Sequence, residues 1–246
     1  MKIAVISDIH GNLPALEAVL EVIHKQSVDK IICLGDIVGK GPSSNEVIDI
    51  CKKECDVVVM GNWDAAIVRA AEMKEEPTNP FGVRTKWYLN SIDTKERLAF
   101  LSALPHSTEV YLSGKLVRLF HAHPANFNRY FAHSPLEQRL ELFDFSEFSK
   151  EKKTADIAIY ADIHSAFIQT VEKKHLVNVG SVGNPLDTNQ ASFVILDEYD
   201  DANFGIQFMR TTYDIERAIK LATNANVPDL EGYITELRTP KYFRRG

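Results

Sequence analysis

An α/β fold is predicted for this chain of 246 residues, on three observations. The first third alternates strand-like apolar runs with helical periodicity: Lys2-Ile3-Ala4-Val5-Ile6, then Leu13 to Ile23, then Lys30-Ile31-Ile32-Cys33-Leu34. That order makes a β-α-β unit, with a parallel strand pair and a right-handed crossover. From Leu104-Pro105 the apolar period changes from helical to two, the mark of hairpins. No repeat, low-complexity tract or linker divides the chain, so one domain spanning 1–246 is expected, with an aromatic-rich, cap-like insertion around 125–150.

In order, Asn12-Leu13-Pro14 opens the first helix with Pro in its first turn, and Leu13, Leu16, Val19, Leu20 and Ile23 form one face. After the second strand, the loop Gly39-Lys40-Gly41-Pro42 leads to Ser43 or Ser44 as cap of a helix over 45–53. A third strand over 56–60 runs into Gly61-Asn62-Trp63-Asp64, followed by a helix over 65–73 and a loop over 75–80. Helices over 82–91 and 94–103 read as cover for the sheet, with Leu98, Leu101 and Leu104 on one side of the second. Strands over 107–112 and 115–120 flank the turn Ser113-Gly114, and the second ends in His121-Ala122-His123-Pro124. The strand 156–160 leads into Ala161-Asp162-Ile163-His164, and strands over 166–171 and 175–179 follow. Asn178-Val179-Gly180-Ser181-Val182-Gly183-Asn184-Pro185 is too glycine-rich for a regular element and suggests backbone closely approaching something. A hairpin over 191–197 and 204–211, helices over 214–222 and 227–238, and a loose tail over 242–246 complete the chain.

Composition narrows the function classes. A net charge of −6 argues against an extended nucleic-acid surface, although bound cations can still recruit a phosphate ester locally. No apolar run is long enough to span a membrane and no leader pattern opens the chain, so a cytoplasmic protein is expected. Cys33, Cys51 and Cys55 read as packing residues rather than ligands, in keeping with a reducing compartment.

The chemistry lies at the strand ends. Asp8 and His10, Asp36, Asn62, His121, and then Asp162 and His164 each follow an apolar run. In open α/β sheets that edge is where ligands bind. Any one of these residues alone would read as a turn or cap residue. Five successive strand ends carrying ligand types do not. If the backbone stays extended after the first strand, Asp8 and His10 share a face. Carboxylates, imidazoles and an amide oxygen suit manganese, zinc or iron, with magnesium or nickel also compatible. Seven ligands exceed what one tetrahedral ion needs, and two ions about 3.5–4 Å apart would use them all. Asp36, alone at its strand end, is the natural bridge.

The ordered set Asp8-Ile9-His10, Gly35-Asp36-Ile37-Val38-Gly39, Gly61-Asn62-Trp63-Asp64, His121 and Ile163-His164 resembles the calcineurin-like metallophosphoesterases over essentially the whole chain. Ser7-Asp8-Ile9-His10-Gly11-Asn12 and Gly180-Ser181-Val182-Gly183 are closest to its small bacterial branch of phosphodiesterases and diadenosine-tetraphosphatase-like proteins. The resemblance implies a four-layer α-β-β-α sandwich of two mixed sheets. It implies one ion on Asp8, His10 and His164, Asp36 as bridge, and a second ion on Asn62, His121 and the residue at 162. It further implies in-line attack on phosphorus by a metal-bridging hydroxide, with Asp36 and Asn62 beside the reacting group. Asn12, Gly180 and Ser181 would lie beside the substrate or the ions.

Two departures from the family pattern bear on specificity. Trp63 stands where the family has a His that protonates the leaving oxygen, so a phosphoanhydride with an acidic leaving group is favoured and Trp63 could stack on a nucleobase. His123, two residues after His121, is the candidate substitute acid. Asp162 stands where the family has the first His of Gly-His-x-His, and a carboxylate there can still ligate manganese or iron. The expected activity is hydrolysis of a phosphodiester or nucleotide phosphoanhydride such as a dinucleoside polyphosphate, with manganese the first choice of metal. The alternatives are a phosphoprotein phosphatase and a catalytically weak binding or scaffold module. No exposed heptad or apolar stripe assigns an oligomeric state.

Overall fold

A computed structural model describes residues 1–242; the greater part of the expected C-terminal tail, residues 243–246, lies outside the described residues. The first sheet is built from β1 (Lys2–Ile6), β2 (Lys30–Cys33), β3 (Val57–Val58), β9 (Ala191–Glu198) and β10 (Phe204–Thr211), in the order β10-β9-β1-β2-β3. β1, β2 and β3 run parallel, and β9 is antiparallel to both β1 and β10. The second sheet contains β4 (Ser107–Leu112), β5 (Lys115–Phe120), β6 (Ile157–Tyr160), β7 (Phe167–Val171) and β8 (Lys174–Asn178), in the order β4-β5-β6-β8-β7. Both sheets are therefore mixed, and the expected sandwich is found.

Alternation along each strand decides which layer a side chain enters. Ile3, Val5, Ile32, Leu34 and Val59 point from the first sheet into the middle layer, where they meet Val117, Leu119, Ile157, Ile159 and Val177 of the second. Ala4, Ile6, Ile31 and Cys33 point the other way, towards α1 (Leu13–Lys25), α2 (Ser44–Glu54), α3 (Asn62–Glu72), α4 (Pro80–Ser91) and α5 (Lys95–Ser102). Burying each large aliphatic of this kind is worth about 1.5–3 kcal/mol, so the two layers hold both sheets firmly. The C-terminal helices α7 (Ile215–Ala225) and α8 (Leu230–Arg238) form a further apolar cluster around Ile219, Ala222, Tyr233 and Leu237.

The outer face of the second sheet is covered by the irregular segment between β5 and β6, whose one helix is the short α6 (Leu136–Glu141). Of its aromatic residues, Tyr130 and Phe143 are buried against Phe120, Tyr160 and Leu176, while Phe131, Phe145 and Phe148 are exposed. Arg118 pins the segment: buried on β5, it pairs with Glu109 at 2.7 Å and donates to the carbonyls of Phe143, Glu151 and Lys153.

Several expected boundaries shift by one to three residues, and two of the shifts bear on the site. The strand over 56–60 shrinks to Val57–Val58, and the following helix begins at Asn62 rather than 65. Both changes arise where the chain crosses the loop after β2: a Cβ on Gly35 (φ +91°) would lie 2.3 Å from the Gly61 nitrogen. The crossing ends the strand early and places Asn62 in the first turn of α3 instead of a free loop.

Candidate metal centre

All the ligand-bearing strand ends meet at one edge of the sandwich, but not in extended backbone. Asp8, His10, Asp36, Asp162 and His164 all have positive φ, between 49° and 65°. The expectation that Asp8 and His10 share the face of an extended strand is therefore corrected: the chain leaves β1 through left-handed turns. Each such non-glycine residue costs about 1–2 kcal/mol, and the cost is met by interlocked loops. Asp8 N donates to Gly35 O, His10 N to Asp36 O and Gly11 N to Ile37 O, at 2.9–3.0 Å. From the other sheet side, Val182 N and Gly183 N donate to Ser7 O and Asp8 O.

Three imidazoles converge on two buried carboxylates. His164 Nε2 lies 3.2 Å and His10 Nε2 3.6 Å from Asp8 Oδ1, and the two ring nitrogens are 3.2 Å apart. Asp36 Oδ2 lies 3.4 Å from His121 Nε2 and 3.6 Å from His10 Nε2. His121 Nε2 is in turn 4.0 Å from Asp8 Oδ1 and 3.8 Å from Asp162 Oδ1. Two ion-sized groups result, Asp8-His10-His164 and Asp8-Asp36-His121, each with ligand atoms within 4.8 Å of one another.

The far side of each ring decides its chemistry. His10 Nδ1 faces Val38 O at 3.3 Å, His121 Nδ1 faces Leu34 O at 2.9 Å and His164 Nδ1 faces Asn184 O at 2.6 Å. A carbonyl only accepts, so each Nδ1 carries a hydrogen, and in its neutral form each ring turns an Nε2 lone pair inwards. That is the outer arrangement of metal-ligating histidines. The buried Asp8 Oδ1 and His121 Nε2 have no hydrogen-bond partner, so the donor set fits divalent cations. The proton equilibria of these side chains show the same concentration of charge. Burial alone would raise Asp8, but the facing His164 and His121 hold its carboxyl well below the usual range. Burial alone would lower His121, but Asp36 and Asp8 push it well above the usual imidazole range.

Asp64 was not anticipated as part of this centre. Fully buried, it accepts from Asp36 N, Ile37 N, Val38 N and Gly61 N at 2.8–3.4 Å and so holds the Asp36 loop against the start of α3. Burial, then the neighbouring Asp36 charge, push its pKa up to about 7 against the opposing pull of those N–H groups. Its place in Gly61-Asn62-Trp63-Asp64, at the third position of a helix, was the available signal. Trp63 donates its backbone N–H to Asp36 Oδ1 at 2.8 Å. Its indole packs on Gly39, edge-on to Phe81 and Tyr88, with its centroid 6.2 Å from that of His10.

The remaining candidates are placed as follows. Asn12 is fully buried: its Oδ1 caps α1 at Ala15 N and its Nδ2 donates to Gly183 O at 2.7 Å. Ser181 Oγ donates to Asp8 O at 2.8 Å, and Gly180 adopts φ +75° beneath Ser192. What the glycine-rich stretch approaches is the Asp8–His10 turn itself, since a Cβ on Gly183 would lie 1.8 Å from Ile9 O. His123 turns towards Tyr130 and lines a cavity of about 200 Å³ with Arg118, Phe120, Glu141 and Phe145. Among the described residues it makes no hydrogen bond to the metal-centre side chains, and burial lowers its pKa.

Asn62 and Asp162 come together, but with a third partner. Asn62 Nδ2 donates to Asp162 Oδ1 at 2.6 Å, and Arg129, from the segment between β5 and β6, grips both oxygens of Asp162 at 2.7 and 3.1 Å. No motif announced Arg129. The outer groups continue to α8: Asn184, which receives His164, also accepts from Lys40 Nζ at 2.5 Å, and Lys40 meets Glu236 at 3.1 Å.

Comparison with known proteins accords with this geometry. Residues 1–201 match the calcineurin-like phosphoesterase superfamily domain. An uncharacterised protein of Methanocaldococcus jannaschii is 32% identical over 247 residues, covering 94% of this chain and 95% of that one. A protein of Paracidovorax citrulli named symmetrical bis(5'-nucleosyl)-tetraphosphatase is 30% identical over 125 residues, covering 50% of this chain and 44% of that one. In fold, a metallophosphoesterase of Sphaerobacter thermophilus superposes with a TM-score of 0.74 at 24% identity, covering 98% of this chain and 100% of that one. The chain thus belongs to the calcineurin-like phosphoesterase superfamily and is a metal-dependent phosphoesterase.

Proposed function

We propose that the chain hydrolyses a nucleotide phosphoanhydride or a phosphodiester at a centre of two divalent ions, with a dinucleoside polyphosphate the leading substrate. Asp8, His10 and His164 would hold one ion, Asn62, His121 and Asp162 the other, and Asp36 would lie between them, with manganese the first choice. The observation that carries this reading is the convergence of three imidazole Nε2 atoms, each with its Nδ1 on a backbone carbonyl, upon the buried carboxylates of Asp8 and Asp36. When bound, such ions supply Lewis acidity towards phosphoryl oxygens and a water acidified for attack.

The protein's part is positioning and charge. Loops locked by backbone hydrogen bonds and by Asp64 keep the ligand atoms in place without rearrangement during turnover. The Trp63 indole N–H is far too weak an acid to protonate a leaving oxygen, and the His123 ring faces Tyr130, so among the described residues the imidazoles beside Asp36 are those of the ligand candidates His10 and His121. A leaving group that departs as an anion by itself, such as a nucleotide phosphate, suits that arrangement better than an alkoxide. The Trp63 ring, beside His10 and Phe81, offers an aromatic surface next to the centre for a nucleobase. The three free cysteines accord with a cytoplasmic setting.

The test is direct. Metal-free protein supplied with manganese is expected to cleave a dinucleoside tetraphosphate faster than bis(p-nitrophenyl) phosphate. Cleavage of neither would overturn the proposal.

A further inference from the structure

The two halves of the centre differ in what already occupies their ligand atoms. In the Asp8-His10-His164 group, Asp8 Oδ1 is buried with no hydrogen-bond partner, and the ring nitrogens face it. In the second half, His121 Nε2 is likewise without a partner, but Asp162 is fully engaged on its inner side. Its Oδ1 accepts from both Asn62 Nδ2 and Arg129 Nη2, and its Oδ2 accepts from Arg129 Nε. A carboxylate oxygen offers about two lone pairs, so an ion drawn to Oδ1 must displace one of its two donors. Asn62 need not move, because its Nδ2 on Asp162 leaves its own Oδ1 free for the ion. Arg129 is the donor that has to yield.

We propose that Arg129 is a positioning residue that competes with the second ion for Asp162, so that the chain fills its two metal sites in sequence and with unequal affinity. This rests on the two-ion reading above. The guanidinium acts in two ways. It occupies an inner lone pair of Oδ1, and it places a positive charge against the carboxylate that would bind the ion. Its two-pronged grip is geometrically specific to arginine, and its side chain is 41% exposed, so it can leave Asp162 for solvent without opening the core. Among the described residues no cation is hydrogen-bonded to the ligand atoms of the Asp8-His10-His164 group: Lys40, on the neighbouring loop, is directed to Asn184 and Glu236.

The experiment titrates metal-free protein with manganese chloride and follows free Mn2+ by its electron paramagnetic resonance signal, with the spin coupling between paired ions as a second readout. The wild-type protein is expected to bind one ion tightly and a second at least about tenfold more weakly, within the range by which outer-sphere groups alter metal affinity. Arg129→Met should tighten the second step by about tenfold and move the first far less. Arg129→Lys, which keeps the charge but loses the two-pronged grip, should fall between them. A circular dichroism melt of each variant checks that the fold is retained, as expected for a half-exposed side chain. Two equally tight steps in wild type and Arg129→Met alike would overturn the role of Arg129 and leave the two-ion reading standing. A single step with no spin coupling in either protein would overturn both.

Discussion

The Asp8-His10-His164 half of the centre is held by backbone, whereas the Asn62-His121-Asp162 half is held largely by side chains. In the first, both histidines lean on carbonyls and the Asp8 turn is stitched to Gly35, Val182 and Gly183. In the second, only His121 has that support, and Asn62 and Asp162 lean on each other and on Arg129. Backbone partners come from elements fixed by the core and cannot be withdrawn. A side-chain partner on a half-exposed arginine can. On the two-ion proposal, the difference would separate a preformed ion site from one whose completion depends on what else is bound.

The largest expected effect removes the group common to both halves. Asp36→Asn keeps the shape and the acceptor for Trp63 N, but takes away the charge that faces His10 and His121. The rate of phosphoester cleavage at saturating manganese should fall by at least about a thousandfold, the upper scale for removing one electrostatic stabiliser of a transition state. A loss below about tenfold would show that Asp36 is not central to either half.

Next comes Asp64, which supports the junction between the halves. Asp64→Asn replaces two acceptor oxygens by one, leaving part of the set Asp36 N, Ile37 N, Val38 N and Gly61 N unpaired in a buried site. Each stranded N–H costs about 1–3 kcal/mol, so the melting temperature should drop. Manganese affinity should fall by about 10–100-fold, because Asp36 loses its anchor. A variant with reduced stability but unaltered metal affinity would confine Asp64 to the fold.

The strand-end ligands were legible in the sequence because an apolar run fixes where each strand stops, and chemistry at that point has few other causes. The sandwich itself followed less from pattern than from resemblance, since hairpins and β-α-β units do not say how two sheets stack. Backbone conformation at the site was not legible: nothing in Ser7-Asp8-Ile9-His10 marks two left-handed residues, which exist only because neighbouring loops supply their hydrogen bonds. Asn62 was expected after a longer strand, and it was the crossing of Gly35 over Gly61 that drew it into α3. Arg129 lay beyond any local rule, 33 residues from its partner in a segment without periodicity.

A smaller effect sharpens the contrast at Asp162. Asp162→His restores the residue type of the family pattern, but it leaves Arg129 beside a neutral ring and still within reach of the second site. Alone it should strengthen the second manganese step by less than about tenfold; combined with Arg129→Met it should exceed either single change. Simple additivity of the two substitutions would mean that they act on the ion independently, which the shared hydrogen bonds argue against.

The smallest expected effect falls in the rigid half, at Asn12. The side chain was expected beside substrate, yet both ends of its amide are engaged, one capping α1 and one holding Gly183 O next to the Asp8 turn. Asn12→Ala should lower stability by about 1 kcal/mol or more, since it removes the helix N-cap at Ala15 N and also the donor to the Gly183 carbonyl. KM should stay within about twofold, since a fully buried amide cannot touch a ligand at the mouth of the centre. A rise in KM without loss of stability would place Asn12 against the substrate, and the first half would then be a binding surface as well as a cage.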